Sequence, residues 1–290
     1  MDADRSRPPV HKQHRPVMGT MASIGVRRDA EASVAGVVTG AIDAAIDAVF
    51  EELERLEAMF STFRAESEIS QVNRGERHLL DCSAEVIDVL DACAWLTQAS
   101  GGAFDISRPT PSTHSGAGGI DPAGFVKGWA TERAARRLSD AGLTDWFVSV
   151  GGDLVTRGTR GPDEPWSVAI ADPRTAGEVL AVFDVCDGAL ATSGTAERGA
   201  HLWDGRDGTP AAGWASVSVS GPSLAWADAF ATVAYVMGSD GPDWVSRFDD
   251  YEAFAVGWDG TIRSTAAVTA AMTPTWRSDR AGEAVGQDPR

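Results

Sequence analysis

In "WADAFATVAYVMG", residues 226–238, a carboxylate and a hydroxyl stand four residues apart among Ala, Phe, Val, Tyr and Met. On a helix, positions i and i+4 share a face, so Asp228 and Thr232 address one region of space. A hard cation such as Mg²⁺ takes oxygen ligands of this kind and keeps positions open for water and substrate phosphates. Two plainer accounts stand beside that one. The spacing predicts Asp228 in the first turn of its helix, where the dipole favours a carboxylate. Thr232 can bond back to the carbonyl four residues earlier. The spacing alone leaves these accounts open.

Other small polar clusters fall at the ends of elements. "VSVGGDLVTRG" places Gly151 and Gly152 straight after a strand, either as a tight turn or as backbone N–H groups facing an anion. "GGIDPAGFVKGWA" places Asp121 before a helix, where an N-cap is the plain account, and Lys127 inside it. "LATSGTAERGAHLWDGRDGTP" holds Thr192, Ser193 and Gly194, then His201 and Asp204. The sequence has neither of the two commonest nucleotide fingerprints, and it has no HExxH, Cys/His cluster or GxSxG elbow.

The elements that must position these residues are readable from periodicity. Ile42, Ile46, Val49, Leu53, Leu56 and Phe60 recur at spacings of three and four and predict one long helix within 32–61. "SAEVIDVLDACAWLTQAS" predicts a second, capped by Ser83 and closed by Gly101 and Gly102. "GFVKGWATERAARRLSDAGL" predicts a third. "VMGTMASIGV", "WFVSVGGDLVTRG", "WSVAIADP", "VLAVFDVC", "WASVSVSGP" and "YEAFAVGWDG" read as strands. Strands outnumber helices and do not alternate strictly with them, which favours an α+β fold over a doubly wound parallel sheet. Residues 1–16 read as a disordered arm, 17–272 as one domain, with a Pro-, Ser- and Gly-rich stretch at 107–119 that could divide two lobes, and 273–290 as a polar tail.

Composition narrows the partners. With 25 basic against 42 acidic residues the net charge is −17, which disfavours nucleic acid. An acidic chain that handles a phosphate compound needs local positive charge from a metal or from backbone amides. Three cysteines, an odd number with no CxxC pair, fit a reducing compartment. The N-terminal stretch lacks an apolar signal core and no apolar run reaches membrane length, so the expected location is the cytoplasm.

Taken in order, eight segments resemble the FAD:protein FMN transferase family, the ApbE-type flavin transferases. They are "MGT" (18–20), "FSTFRAESEISQVN" (60–73), "GGAFDIS" (101–107), "IDPAGFVKGWATE" (120–132), "VSVGGD" (148–153), "WSVAIADP" (166–173), "ATSGTAERGAHLWD" (191–204) and "ADAFATVAYVMG" (227–238). The resemblance implies a flavin site in a central cleft, Mg²⁺ on the pyrophosphate of FAD, and FMN transfer to a threonine or serine hydroxyl of an acceptor protein with loss of AMP. It implies Asp228 and Thr232 as metal ligands, with the carbonyl of Gly124 as a further contact. Met18, Phe63, Ala103, Phe104, Asp105, Asp121, Lys127 and Leu202 match positions lining the FAD site, and His201 matches a histidine suited to general-base work.

The same chemistry admits an FAD pyrophosphatase with water as acceptor, and a flavin-binding protein without turnover. The chain departs from the family pattern at Phe63, where an aromatic with a hydroxyl or indole is usual, and at Thr195, Ala196, Gly205, Asp207 and Glu132. None of these changes removes a residue that the resemblance implies as a metal ligand.

Overall fold

A computed structural model describes residues 8–28, 35–107, 119–162, 164–194, 202–211 and 213–265. The chain opens on a hairpin of β1 (Val10–Val17) and β2 (Thr20–Arg27). Its two-residue turn has Met18 at φ +51° and Gly19 at φ +70°. Left-handed geometry at both turn positions matches the natural twist of paired strands.

The arm expected over 1–16 is corrected from Val10 onward, where the chain is strand, while residues 1–7 lie outside the described residues. Its charged residues have partners. His11 Nε2 lies 2.7 Å from Asp43 Oδ1, Gln13 donates to the same oxygen at 2.7 Å, and Arg15 pairs with Asp47. Both acids belong to α1 (Ala35–Phe60). The composition that reads as disorder is the polar face of an edge strand laid against the charged side of a helix.

The remaining elements are α2 (Glu68–Asn73), α3 (Ala84–Ala99), α4 (Ala123–Asp140), β3 (Trp146–Val150), β4 (Asp153–Arg157), β5 (Trp166–Ala171), β6 (Val179–Val185), β7 (Ala189–Gly194), β8 (Ser216–Gly221), α5 (Leu224–Met237), α6 (Gly241–Val245), β9 (Glu252–Val256) and β10 (Ile262–Ser264). Among the described residues, eight strands form one sheet in the order β1-β2-β3-β4-β7-β8-β9-β10, and β5 pairs with β6 in a second, two-stranded sheet. Every pairing is antiparallel. The expected α+β class holds.

Both faces of the large sheet are covered. On β3, Trp146, Val148 and Val150 enter the core shared with the helices, while Phe147 enters a second core with Trp166, Val168, Phe183 and Phe254 beneath the small sheet. The side-chain period of two sorts alternate residues between these layers. All five residues of β3 are buried for that reason, and four of the five are apolar, Ser149 being the exception. Gly25, the cross-strand partner of Phe147, leaves room for that ring, since a Cβ there would stand 2.1 Å from its Cε1.

The helices follow the sequence closely. Ile42, Ile46, Val49, Leu53, Leu56 and Phe60 are all buried along one stripe of α1. Ser83 caps α3 by accepting from the Val86 N–H.

One charged cluster ties three helices together. Glu52, on the otherwise apolar side of α1, accepts from Arg55 at 2.7 Å and from Arg137 of α4 at 2.9 Å. Arg55 and Arg133 also each reach Glu85 of α3 at 2.7 Å. The hydrogen bond from Arg55, reinforced by Arg137 and opposed by burial, holds the Glu52 carboxyl down at about 2 from its usual 4.5. A carboxyl depressed in the folded state stabilises the fold fully above its unfolded value, and that contribution is lost as pH falls through the folded value. Glu52→Gln should therefore lower stability at neutral pH by about 2 kcal/mol, the scale of a hydrogen bond to a charged group. Urea midpoints of the two proteins should converge between about pH 4.5 and about pH 2; a gap that stays constant across that window contradicts the assignment.

Candidate functional site

Asp228 sits one turn inside α5, at its fifth residue, so the expected first-turn position is corrected. The helix dipole acts within the first turn and no longer accounts for a carboxylate that is 3% exposed. Local partners do. The Gly128 N–H of α4 donates to Asp228 Oδ2 at 3.0 Å, and the Lys127 ammonium lies 3.4 Å from Oδ1. Burial nevertheless raises the Asp228 carboxyl to about 7, against the pull of Lys127 and with a further push from the Asp153 carboxylate.

Those contacts depend on close approach of α4 and α5. A Cβ on Gly128 would stand 2.6 Å from the Leu224 carbonyl oxygen and 2.8 Å from Asp228 Cβ. Glu132, one turn on, accepts from the Ser223 hydroxyl at 2.7 Å and from the Ala225 N–H at 3.1 Å, which pins the start of α5 to α4.

Thr232 faces the sheet, with its hydroxyl 3.1 Å from Ser193 Oγ on β7. The back-bonding geometry considered for Thr232 is taken up instead by Thr131, whose hydroxyl donates to the Lys127 carbonyl at 2.8 Å.

Asp153, at the start of β4, was not singled out by the sequence reading. It is 1% exposed. Its Oδ1 accepts from the Thr192 N–H at 2.9 Å, and its Oδ2 forms an ion pair with Lys127. Among the described residues Oδ2 has no hydrogen-bond donor beyond that ion pair. The available signal was the acid directly after the glycine pair in "VGGD". Gly151 and Gly152, at φ +57° and +88°, make the hairpin turn ahead of it. The Gly151 N–H donates to the Met21 carbonyl at 3.1 Å, so the anion-facing reading of that amide is corrected in favour of the turn.

The residues expected around the flavin fall into two groups. In the first, the 101–107 turn, the start of α4 and the 202–211 loop are joined by backbone. The Gly205 N–H donates to the Ala103 carbonyl at 3.0 Å, and the Asp121 N–H donates to the Ile106 carbonyl at 2.8 Å. This brings Ala103, Phe104, Asp105, Asp121, Gly124 and Leu202 together. A Cβ on Gly124 would sit 3.0 Å from the Phe104 ring. Asp105 spends Oδ1 on the Ser107 N–H and hydroxyl. Asp121 accepts from the Ala123 N–H at 3.0 Å, just outside the N-cap position, which Pro122 holds. Burial raises its carboxyl.

In the second group, the Met18 N–H donates to Glu57 Oε2 at 3.1 Å, and Arg64 lies 3.7 Å from the same oxygen. This draws the β1–β2 turn towards the segment that carries Phe63, whose ring is 72% exposed. His201 lies outside the described residues. A cavity of about 260 Å³ lined by Phe125, Trp129, Arg133, Arg136 and Trp226 opens on the face of α4 opposite Lys127 and is separate from this site.

Oxygen donors from Asp228 and Thr232, with the Gly124 carbonyl a turn earlier on the facing helix, are the ligand chemistry of a hard divalent cation. No group of three or more His, Cys, Asp or Glu suited to a metal occurs among the described residues.

The fold matches that of solved flavin transferases. The flavin transferase ApbE of Vibrio cholerae superposes with a TM-score of 0.74 at 21% identity, over 91% of this chain and all of that one. The ApbE protein of Thermotoga maritima gives 0.76 at 23% identity, over 91% and 99%. These likenesses define the fold as the α+β architecture of the ApbE structures. The sequence pattern of the ApbE family matches residues 18–110 and 111–255, and the chain belongs to that family.

Proteins named FAD:protein FMN transferase are its curated relatives. That of Haemophilus influenzae is 25% identical over 262 residues, covering 69% of this chain and 76% of the relative. That of Klebsiella pneumoniae is 29% identical over 174 residues, covering 57% and 48%. The match thus spans about half the length of the Klebsiella protein. No described helix is long and apolar enough to cross a membrane.

The α4–α5 seam yields a test. Gly128→Ala should cost about 1–3 kcal/mol by overpacking. It should also displace Asp228 from the Lys127 side of the seam. Thermal unfolding and a crystal structure of the variant check both; wild-type stability with an unmoved α5 would contradict the close-approach argument.

Proposed function

We propose that this protein transfers the FMN moiety of FAD to a threonine or serine hydroxyl of an acceptor protein, releasing AMP, in a Mg²⁺-dependent reaction. The observation that carries the reading is Asp228, a carboxylate buried at the α4–α5 seam one helical turn from Thr232. A chain of net charge −17 needs local positive charge to hold a pyrophosphate, and a cation on these oxygen donors would supply it. Asp228, Thr232 and the Gly124 carbonyl would hold Mg²⁺. When bound, Mg²⁺ neutralises charge on the pyrophosphate and orients it.

The remaining work belongs to the chain's own residues. Lys127 adds a second positive charge beside the same carboxylate. Met18, Ala103, Phe104, Asp105, Asp121 and Leu202 line the flavin nucleotide. The exposed ring of Phe63 offers a face for stacking, without the hydrogen bond that a hydroxyl or indole would add. His201 acts as general base and takes the proton from the acceptor hydroxyl. The freed oxygen attacks the FMN-side phosphorus. The bond from that phosphorus to the bridging oxygen breaks, and AMP leaves with that oxygen. We place the reaction in the cytoplasm: Cys82, Cys93 and Cys186 are unpaired, as a reducing compartment allows.

The experiment combines FAD, Mg²⁺ and a candidate acceptor and follows the acceptor by intact mass and AMP by chromatography. Transfer predicts FMN on the acceptor with AMP in equal amount. AMP without a modified acceptor would instead identify a pyrophosphatase. Tight flavin binding with neither product would identify a carrier. Asp228→Ala should abolish the Mg²⁺-dependent reaction in a protein that still folds, and unchanged turnover would remove Asp228 from the metal site. His201→Ala should slow transfer by at least about a hundredfold, the scale of general-base catalysis. FAD affinity should change far less; equal losses in the two would make His201 a binding residue.

A further inference from the structure

Lys127 stands between two buried carboxylates. It pairs with Asp153 Oδ2 and lies 3.4 Å from Asp228 Oδ1. Asp153 has nowhere else to turn. Its Oδ1 is engaged by the Thr192 N–H, it is 1% exposed, and β4 is hydrogen-bonded between β3 and β7. Lys127 is the more mobile partner, with a side chain 21% exposed at the end of a flexible stem. The ammonium is therefore placed to neutralise either acid, and the contact distances put it on Asp153.

We propose that Asp153 is a positioning residue that competes with Asp228 for Lys127, so that Asp228 keeps enough uncompensated charge to take a divalent cation. This rests on the metal reading above and adds a residue that contacts neither metal nor flavin in that reading. The physical argument is one of competition. With Asp228 ionised, as a bound cation requires, two buried carboxylates and one ammonium leave one negative charge for that cation to meet. Remove the Asp153 charge, and the ammonium shifts towards Asp228, the other carboxylate with which it already pairs. A divalent ion must then displace it and enters a cluster of zero net charge. Remove Lys127 instead, and two uncompensated carboxylates remain, which attract a cation more strongly. Remove both charges, and a single negative charge is restored with no competing ammonium.

These three variants give a signature that mere structural damage does not produce. Mn²⁺ binding is followed by the loss of its free electron paramagnetic resonance signal, with Mg²⁺ as competitor and no FAD present. Asp153→Asn retains an acceptor for the Thr192 N–H and should weaken Mn²⁺ binding by about tenfold or more, the range seen when groups around a metal's ligands are altered. Lys127→Met should tighten it. The double variant should return to within about threefold of wild type, well inside that range.

Binding in Asp153→Asn equal to wild type overturns the proposal. So does a double variant as weak as Asp153→Asn, which would make Asp153 a direct ligand or a purely structural group. Either result, with wild type binding Mn²⁺ and Asp228→Ala failing to, leaves the metal site itself standing. Failure of wild type to bind, or wild-type binding by Asp228→Ala, removes the metal site and this inference together. If Asp153→Asn does not fold by near-ultraviolet circular dichroism, Lys127→Met decides alone: tighter binding supports the competition, and unchanged or weaker binding overturns it.

Discussion

A buried carboxylate at a helix–helix seam is the constraint around which this structure is arranged. Taking Asp228 out of water is costly, and burial pushes its carboxyl up to about 7. Two groups offset that cost, the Gly128 N–H and the Lys127 ammonium, and both come from α4. They reach Asp228 only because a glycine lets the helices touch. Lys127 in turn draws in Asp153 from β4, and Asp153 holds the backbone of β7 through Thr192. One buried charge thus links two helices and two strands into a single electrostatic unit.

The scaffold behind that unit is stiff. The eight-stranded sheet is packed on both faces, so its central strands have little freedom to move. The Glu52 cluster clamps α1, α3 and α4 on the far side of the helical layer. Side chains that must keep their spacing to fractions of an ångström sit on these regular elements rather than on loops. The flavin-side residues Ala103 to Asp105 and Leu202 lie in turns, and those turns are held by backbone hydrogen bonds to each other.

Several features were legible without coordinates because they arise from local rules. The stripe of α1, the Ser83 cap and most strands follow from periodicity and capping, which depend on near neighbours in sequence. The pairing of Asp228 with Thr232 follows from helical spacing. Misreadings occurred where a distant partner changes the meaning of a residue. His11, Gln13 and Arg15 suggest a disordered arm until Asp43 and Asp47 of α1 supply their partners. Asp153 passes as one more acid after a turn until Lys127 and Thr192 close on it. Asp228 seems explicable by the dipole until the helix is seen to begin a turn earlier.

The sequence by itself therefore determined the fold class, the helical and strand repeats, the order of family segments and the shared face of Asp228 and Thr232. All of these are encoded in spacings of two to four residues or in the linear order of motifs. Only the tertiary structure decided that Lys127 is shared between Asp153 and Asp228, that Gly128 is the contact point of α4 and α5, and that Thr232 meets Ser193. Those residues lie 26 to 101 positions apart in the chain. What unites them is the low dielectric of a common interior, where a charge without a partner is too costly to leave alone.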